Sequence, residues 1–383
     1  MGHQYDLAII GGGIAGLSIA YAIAGRASAI LLEAESGIGY HSTGRSSAYL
    51  SCFNGTRLTR TLSRASLPFF ESPPAGFSDY PLFQKRDCLW TCAPGRGRRL
   101  NALLALAESE GSLNRITPEM AATYCPALKS NLLEFAALEQ GSGDIDVDQL
   151  QQALLKHFKR SGGVVENDAR VYEIKKTTGG WILKTGEHEI HASVIVNAAG
   201  AWADEIASLA GARPQGLSPL RRTVITFDPP QGLDIRNWPF VVDSCETLYF
   251  RPDAGRILCS PADQVASAPC DAQPEMLEIA TAVMRVEGMT HFKVDKIKTK
   301  WAGLRTFAPN REPVIGWDPS AENFFWFAAM GGSGIQTSPA LSRLAVGELL
   351  EESDNKNASL SNIHMEALRP RPSPFAATNA RHH

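Results

Sequence analysis

The stretch Tyr5–Glu33, YDLAIIGGGIAGLSIAYAIAGRASAILLE, decides the fold. Tyr5–Ile10 is a short apolar run that stops at glycine, the pattern of a central parallel strand buried on both faces. Ile14–Gly25 carries Ala, Ile and Leu at helical spacing, and Ala29–Leu32 is a second apolar run closed by Glu33. Strand, helix and strand within about thirty residues make one βαβ unit. Gly11-Gly12-Gly13-Ile14-Ala15-Gly16 places a GxGxxG at the turn from strand to helix. Gly11 permits the tight turn, Gly13 lets backbone N–H groups approach a pyrophosphate, and Gly16 lets the helix pack closely on the strand. The N-terminus of that helix, at Ile14 and Ala15, turns its positive end toward the phosphates. Glu33 closes the second strand where a carboxylate accepts hydrogen bonds from an adenosine ribose.

No second GxGxxG follows a strand elsewhere. Gly331-Gly332-Ser333-Gly334 precedes the last predicted helix but has no downstream strand ending in a carboxylate. One fingerprint argues for one dinucleotide, NAD or FAD.

Leu100–Glu110 and Val147–Arg160 read as helices, the second opened by the acidic cluster Asp144, Asp146 and Asp148. Val164–Asn167, Val171–Lys176, Trp181–Thr185 and Ser193–Val196 read as strands, as do Arg222–Phe227, Phe240–Val242, Thr247–Phe250 and Ile257–Cys259. Phe324–Ala329 is a last strand and Ile335–Glu351 a last amphipathic helix. The polar, Pro- and Arg-containing tail beyond Glu352 is expected to be loosely ordered. Nucleotide-type segments at both ends with β-rich material between them predict an α/β chain with an α+β substrate domain. The Rossmann-like dinucleotide domain is discontinuous (1–80, 142–215 and 300–383) and carries an inserted antiparallel β-sheet substrate domain (81–141 and 216–299).

Composition bounds the function. A chain of 383 residues has room for two cores. A net charge of −3 gives no electrostatic case for nucleic acid or an anionic membrane. The glycines inside the apolar stretch Leu7–Ala24, with no basic segment before it, argue against both a signal peptide and a transmembrane segment. Seven scattered cysteines fit reduced thiols and a cytoplasmic location, with peripheral membrane association left open. Cys88 and Cys92 lie four apart, but no second Cys or His pair follows at zinc spacing, so no metal is expected.

Four further segments carry a resemblance. They are Gly39-Tyr40-His41-Ser42-Thr43-Gly44-Arg45-Ser46-Ser47, Asn197-Ala198-Ala199-Gly200-Ala201-Trp202, Trp301-Ala302-Gly303-Leu304-Arg305 and Gly331-Gly332-Ser333-Gly334-Ile335-Gln336. Together with the N-terminal fingerprint, and in this order, they resemble the D-amino acid oxidase superfamily of flavoenzymes, which includes glycine oxidase, sarcosine oxidase and D-amino acid dehydrogenases. The similarity runs from about Tyr5 to Pro370 and is greatest to the bacterial D-arginine dehydrogenase type. It selects FAD over NAD and makes the dinucleotide domain an FAD-binding domain. It implies flavin contacts at Ala34, Ser42–Ser47, Val171, Ala198, Gly200, Trp202, Gly303 and Gly331–Gln336, with Arg45 pairing a phosphate or bracing its loop. In the last loop, free N–H groups at the head of the helix face the flavin N1 and C2=O region and favour the anion formed on reduction. No Cys stands at Arg305–Phe307, where sarcosine oxidase-like members attach their flavin, so non-covalent FAD is expected.

On the substrate side the resemblance implies that Arg305 clamps a carboxylate, Tyr249 adds a phenol donor and Arg222 a second positive charge, with Gly332 joining them at the flavin. The arginine fork suits a carboxylate because it donates two parallel hydrogen bonds. Neighbours on a strand face opposite ways, so only one of Arg221 and Arg222 enters the site. The implied reaction is hydride transfer from the α-carbon to flavin N5, giving an imino acid that hydrolyses to a keto acid and ammonia. The electron acceptor stays open among O2, a quinone and an electron carrier. Where the D-arginine dehydrogenases have a histidine, a tyrosine and a glutamate for the basic side chain, the matching positions hold Tyr49, Asn54 and Cys88. With no acid near Cys88 a buried guanidinium would be costly, so a small neutral amino acid or N-methyl amine is expected. Two alternatives share the scaffold: oxidation of a 2-hydroxy acid at the same clamp, and a flavoprotein that only binds or relays electrons.

Overall fold

The computed structural model describes residues 4–110, 112–186, 188–351, 363 and 365–371. The N-terminal unit forms as expected: strand Gln4–Ile10, helix Ile14–Ile23, strand Ala29–Leu32. Strand Gln4–Ile10 lies at the centre of an eight-stranded sheet, parallel to Ala29–Leu32 on one side and to His188–Asn197 on the other. His188–Asn197 divides its second edge. Its first half pairs antiparallel with Gly180–Thr185, and Ile195–Asn197 pairs parallel with Phe324–Trp326 of the strand Phe324–Ala328.

The continuous apolar runs follow from coverage of both faces. Leu7, Ile9, Leu31, Phe325 and Phe327 join one core with the helices Ile14–Ile23, Val147–Arg160 and Gly334–Leu349. Ala8, Ile10, Ile30, Leu32, Phe324 and Trp326 point into a second core on the opposite face. Asp146, from the acidic cluster, caps helix Val147–Arg160 by accepting the Gln149 N–H at 2.9 Å.

A second sheet of nine strands holds Cys88–Cys92, Leu113–Ile116, Phe135–Glu139, Ser218–Phe227, Phe240–Asp243, Tyr249–Asp253, Arg256–Ser260, Val265–Ala266 and Ile297–Phe307. Its pairs are antiparallel except Cys88–Cys92 with Phe240–Asp243. Helix Met276–Met289 packs Ile279, Ala282 and Val286 against it. A three-stranded sheet, Tyr49–Leu50, Gly143–Ile145 and Phe83–Lys85, ties the loop after the flavin-type segment to the chain before helix Val147–Arg160.

Two expectations need correction. Strand Ile297–Phe307 pairs with Ser218–Phe227 from Ser218↔Phe307 to Phe227↔Ile297, so the chain returns to the first sheet after Phe307, not at residue 300. An eleven-residue strand with ten ladder pairs cannot be divided between two sheets after its third residue. In the tail, most of the chain beyond Glu352 lies outside the described residues. Residues 365–371 are an ordered return: Leu368 is fully buried in the first core and its carbonyl accepts the Ile315 N–H at 2.7 Å.

Candidate active site

A continuous cavity of about 600 Å³ runs from the Gly11 turn, between the two sheets, to Cys88 and Tyr249 on the second sheet. Every expected cofactor and substrate residue lines it except Gly16 and Gly44. Those two act from behind. A Cβ on Gly16 would stand 1.9 Å from the Gly11 carbonyl oxygen, and one on Gly44 would stand 2.7 Å from that of Gly39. Gly11 has φ +107° and lies against Ala198, where a Cβ would come within 2.5 Å of the carbonyl oxygen. The first strand and His188–Asn197 can therefore end side by side. Gly13 lines the cavity, and a Cβ there would meet only Thr43 Oγ1, a tight contact at 3.2 Å.

At this end the Glu33 carboxylate accepts the Gly12 N–H at 2.7 Å and the Glu35 N–H at 2.9 Å. These bonds fix its direction and leave lone pairs for a ribose. Thr43 Oγ1 accepts the Ile14 N–H at 3.0 Å, joining the second loop to the helix N-terminus. Asn197 shapes the next turn: its amide donates to the Ala203 carbonyl at 2.8 Å and its Oδ1 accepts from Ala199 N–H at 3.3 Å, while Gly200 takes φ +56°. Val171 and Trp202 stand on the same stretch of wall, with Trp202 against the His41 ring at 4.7 Å.

Of the two roles expected for Arg45, the structure shows the brace. Its guanidinium donates to the carbonyls of Ala272 (3.0 Å) and Ala302 (3.1 Å) and pairs with Asp271. Ser42 donates to the Leu304 carbonyl, and Trp301 Nε1 to the Arg45 carbonyl at 3.0 Å. The loop Ser42–Ser47 is thereby stitched to the strand that carries Arg305. Gly303 is needed at that crossing, since a Cβ there would lie 3.2 Å from the Arg45 Cβ.

Arg305, on strand Ile297–Phe307, differs from the other arginines of the site. Its buried Nε has no hydrogen-bond partner, and among the described residues its guanidinium meets no carboxylate. It rests 5.8 Å from the Phe307 ring centroid and against Gly332, where a Cβ would come within 2.3 Å of Nη1. Arg221 and Arg222 divide as strand geometry requires. Arg221 pairs with Glu275 and Glu278 on the far side. Arg222 lines the cavity, donates to the Asp263 carbonyl at 2.8 Å and lies 5.7 Å from the Tyr249 ring centroid. Tyr249 is buried beside Phe240, and its hydroxyl makes no hydrogen bond to the described residues.

The three expected specificity positions are on the wall with different properties. The Tyr49 hydroxyl is occupied, donating to the Arg86 carbonyl at 2.7 Å with Ser142 Oγ at 2.8 Å, so Tyr49 presents its ring, stacked on Phe240, and not a phenol. Asn54 is exposed at the rim. Cys88 is buried, and burial pushes its thiol far above the usual range, so it is no nucleophile. The expected lack of an acid near Cys88 is wrong, because strand pairing sets Glu139 directly opposite it. The buried Glu139 carboxylate accepts from Ser51 Oγ (2.8 Å), Cys52 N (2.8 Å) and Trp90 Nε1 (3.1 Å), and burial raises its pKa. It sits behind the wall and does not line the cavity. A second missed acid, Glu246, does line it but is paired with Arg99.

The Gly331–Gly334 loop closes the site. Gly331 has φ +55° and donates to the Thr306 carbonyl at 2.9 Å, so the loop is tied to the Arg305 strand before helix Gly334–Leu349 begins. Gln336 in the first turn accepts the Ser51 N–H at 3.1 Å while its buried Nε2 has no partner. An orphaned donor at one end, Gly13 on the wall and the oriented Glu33 carboxylate at the other, and one continuous cavity between them fit an elongated dinucleotide. No group of three or more metal-ligating side chains occurs among the described residues.

One fingerprint opening onto one cavity between two sheets defines the class, a dinucleotide-dependent oxidoreductase. The chain belongs to the DAO family of FAD-dependent oxidoreductases, whose pattern matches residues 6–347, and FAD is its cofactor. Mouse FAD-dependent oxidoreductase domain-containing protein 1 is 26% identical, covering 94% of this chain and 84% of its own. Glycine oxidase of Geobacillus kaustophilus is 23% identical over 92% of this chain and 95% of its own. The crystal structure of that glycine oxidase superposes with a TM-score of 0.83 at 18% identity, over 97% and 99% of the two chains. L-α-glycerophosphate oxidase of Mycoplasma pneumoniae, with FAD bound, superposes with a TM-score of 0.81 at 17% identity, over 97% of each chain. No helix among the described residues is long and apolar enough to cross a membrane.

Proposed function

We propose that this enzyme oxidises the carbon–nitrogen bond of a small amino acid or N-methyl amine that carries a carboxylate. The observation that carries the reading is Arg305. A guanidinium with a buried, unpartnered Nε and no acid beside it is costly to maintain unless a ligand supplies the anion. Arg222 and Tyr249 stand on the same cavity and add a second positive charge and a free phenol donor. Arg222 is opposite Gly303 and Leu220 is opposite Arg305, so the two arginines are diagonal neighbours across one strand pair. A carboxylate held there is oriented by both, and the α-carbon is turned toward the Gly331–Gly334 loop. The Gly11–Ala15 turn, Glu33 and the Gly331–Gln336 segment would hold FAD, which would supply the hydride acceptor for that carbon. With the amine proton lost to water, the resulting imine hydrolyses to a keto acid and ammonia, or to a keto acid and methylamine where the nitrogen carries a methyl group. Relatives with amino acid names, glycine oxidase among them, agree with this substrate class.

A 2-hydroxy acid would satisfy the same clamp, but alcohol oxidation also needs a group to take the hydroxyl proton. His41 is the one histidine on the cavity wall among the described residues, and it is 3.0 Å from Glu35 beside Trp202, at the nucleotide end. An amine can reach the neutral form in water before it binds, so the geometry favours the amine.

Arg305→Ala should weaken substrate turnover by about 2–5 kcal/mol, as for loss of one partner of a desolvated charge pair. FAD should remain bound. Arg305→Lys should recover part of the loss, because lysine keeps the charge without the fork. Steady-state kinetics on flavin-replete variants check this; wild-type kcat/KM in Arg305→Ala would remove the clamp from the account.

A further inference from the structure

The substrate end of the cavity has more positive charge than one carboxylate needs. Besides Arg222 and Arg305 it is lined by Arg311. Arg311 sits at φ +62°, a left-handed conformation that costs a non-glycine residue energy and is retained chiefly at clamps and functional turns. Its N–H donates to the Ala308 carbonyl at 2.8 Å, its Nη2 donates to Gln264 Oε1 at 2.9 Å, and its Cζ lies 4.1 Å from the Phe307 ring centroid. Backbone, amide and ring thus fix the direction of an arginine that has no acidic partner among the described residues. The acids within reach are committed elsewhere. Glu312 accepts from Thr56 at 3.2 Å, Glu246 is paired with Arg99, and Asp263 accepts from Thr223 and faces Arg222.

Phe307 places this group relative to the first clamp. Arg305 Cζ and Arg311 Cζ are 5.8 Å and 4.1 Å from the same ring centroid, so they are at most 9.9 Å apart. We propose that Arg311, held by Gln264 and Phe307, is a second anion subsite and that the substrate class is a dicarboxylate: an amino or imino acid with a second acidic group. Resting on the reading of Arg305 as the first carboxylate clamp, the inference extends that site to a diacid of roughly four or five carbons, each carboxylate within charge-assisted hydrogen-bond range of a guanidinium. It also accounts for the occupied Tyr49 hydroxyl and the shielded Glu139, which leave nothing on the Cys88 side to hold a cation.

Two acids that cannot be oxidised, glutarate and butyrate, test it on the FAD-loaded enzyme by perturbation of the flavin absorbance. Glutarate should bind roughly five- to tenfold more tightly than butyrate, as for one added, partly solvated ion pair. Arg311→Gln should bring the two dissociation constants within about twofold of one another, and Gln264→Ala should give an intermediate ratio. Equal affinities in the wild type, or a preference for glutarate that survives Arg311→Gln, would overturn the second subsite. Arg305→Gln should weaken both acids. If it weakens neither while Arg311→Gln still removes the preference, the first clamp fails and the second stands.

Discussion

Two glycines in one motif illustrate how differently single residues act here. Gly16 is structural, since a methyl group there would fall 1.9 Å from the Gly11 carbonyl oxygen. Gly13 faces the cavity, and its nearest neighbour to an added Cβ would be Thr43 Oγ1 at 3.2 Å. Gly16→Ala should therefore destabilise the apoprotein by about 1–3 kcal/mol, the range for overpacking. Gly13→Ala should cost the apoprotein less than Gly16→Ala and weaken FAD binding by tenfold or more, on the order of 1.4 kcal/mol. Thermal unfolding without flavin and FAD titration separate the two, and equal losses of apoprotein stability would contradict the assignment. The motif is legible in sequence because each glycine's role is local, set by the turn and the helix it opens. Arg305 is legible only through its resemblance, and its lack of an acidic partner is visible only once the strands are assembled.

Elements buried on both faces set the limit on what the sequence reveals. Cys88–Cys92 and Phe135–Glu139 are buried at every position and carry no polar alternation, so neither advertises itself as a strand. Their pairing brings Glu139 opposite Cys88, a relation that depends on register between segments far apart in the chain. Burial raises the Glu139 pKa above its ordinary value of 4.5. The folded state thus keeps this proton after the unfolded chain has lost it, and Glu139 lowers stability as pH rises from about 4.5 through the raised value. Glu139→Gln cannot ionise, so the difference in Tm between variant and wild type should shift in the variant's favour from pH 5 to pH 8. A difference independent of pH, or one moving the other way, would show that Glu139 is ionised throughout.

At the scale of the whole molecule, the two large sheets meet along the cavity, and the chain crosses between them several times to build it. The loop Ser42–Ser47 belongs to the first sheet's unit but is pinned to the second sheet through Ser42, Arg45 and Trp301. Gly331 likewise ties the head of the last helix to Thr306. These ties hold the segments proposed to bind FAD beside Arg305, so the proposed cofactor site and the proposed carboxylate clamp share one strand's position. That arrangement predicts a simple rule for substrates, and anaerobic mixing tests it most directly. The FAD-loaded enzyme is mixed without oxygen with a panel of amino acids, aspartate and glutamate enantiomers included, N-methyl amino acids and 2-hydroxy acids, each amino acid beside the amine lacking its α-carboxylate. Bleaching of the oxidised flavin band is followed. At least one carboxylate-bearing amine should bleach the flavin and its decarboxylated counterpart should be slower by orders of magnitude. Comparable bleaching by the decarboxylated amine, or bleaching only by 2-hydroxy acids, would contradict the account.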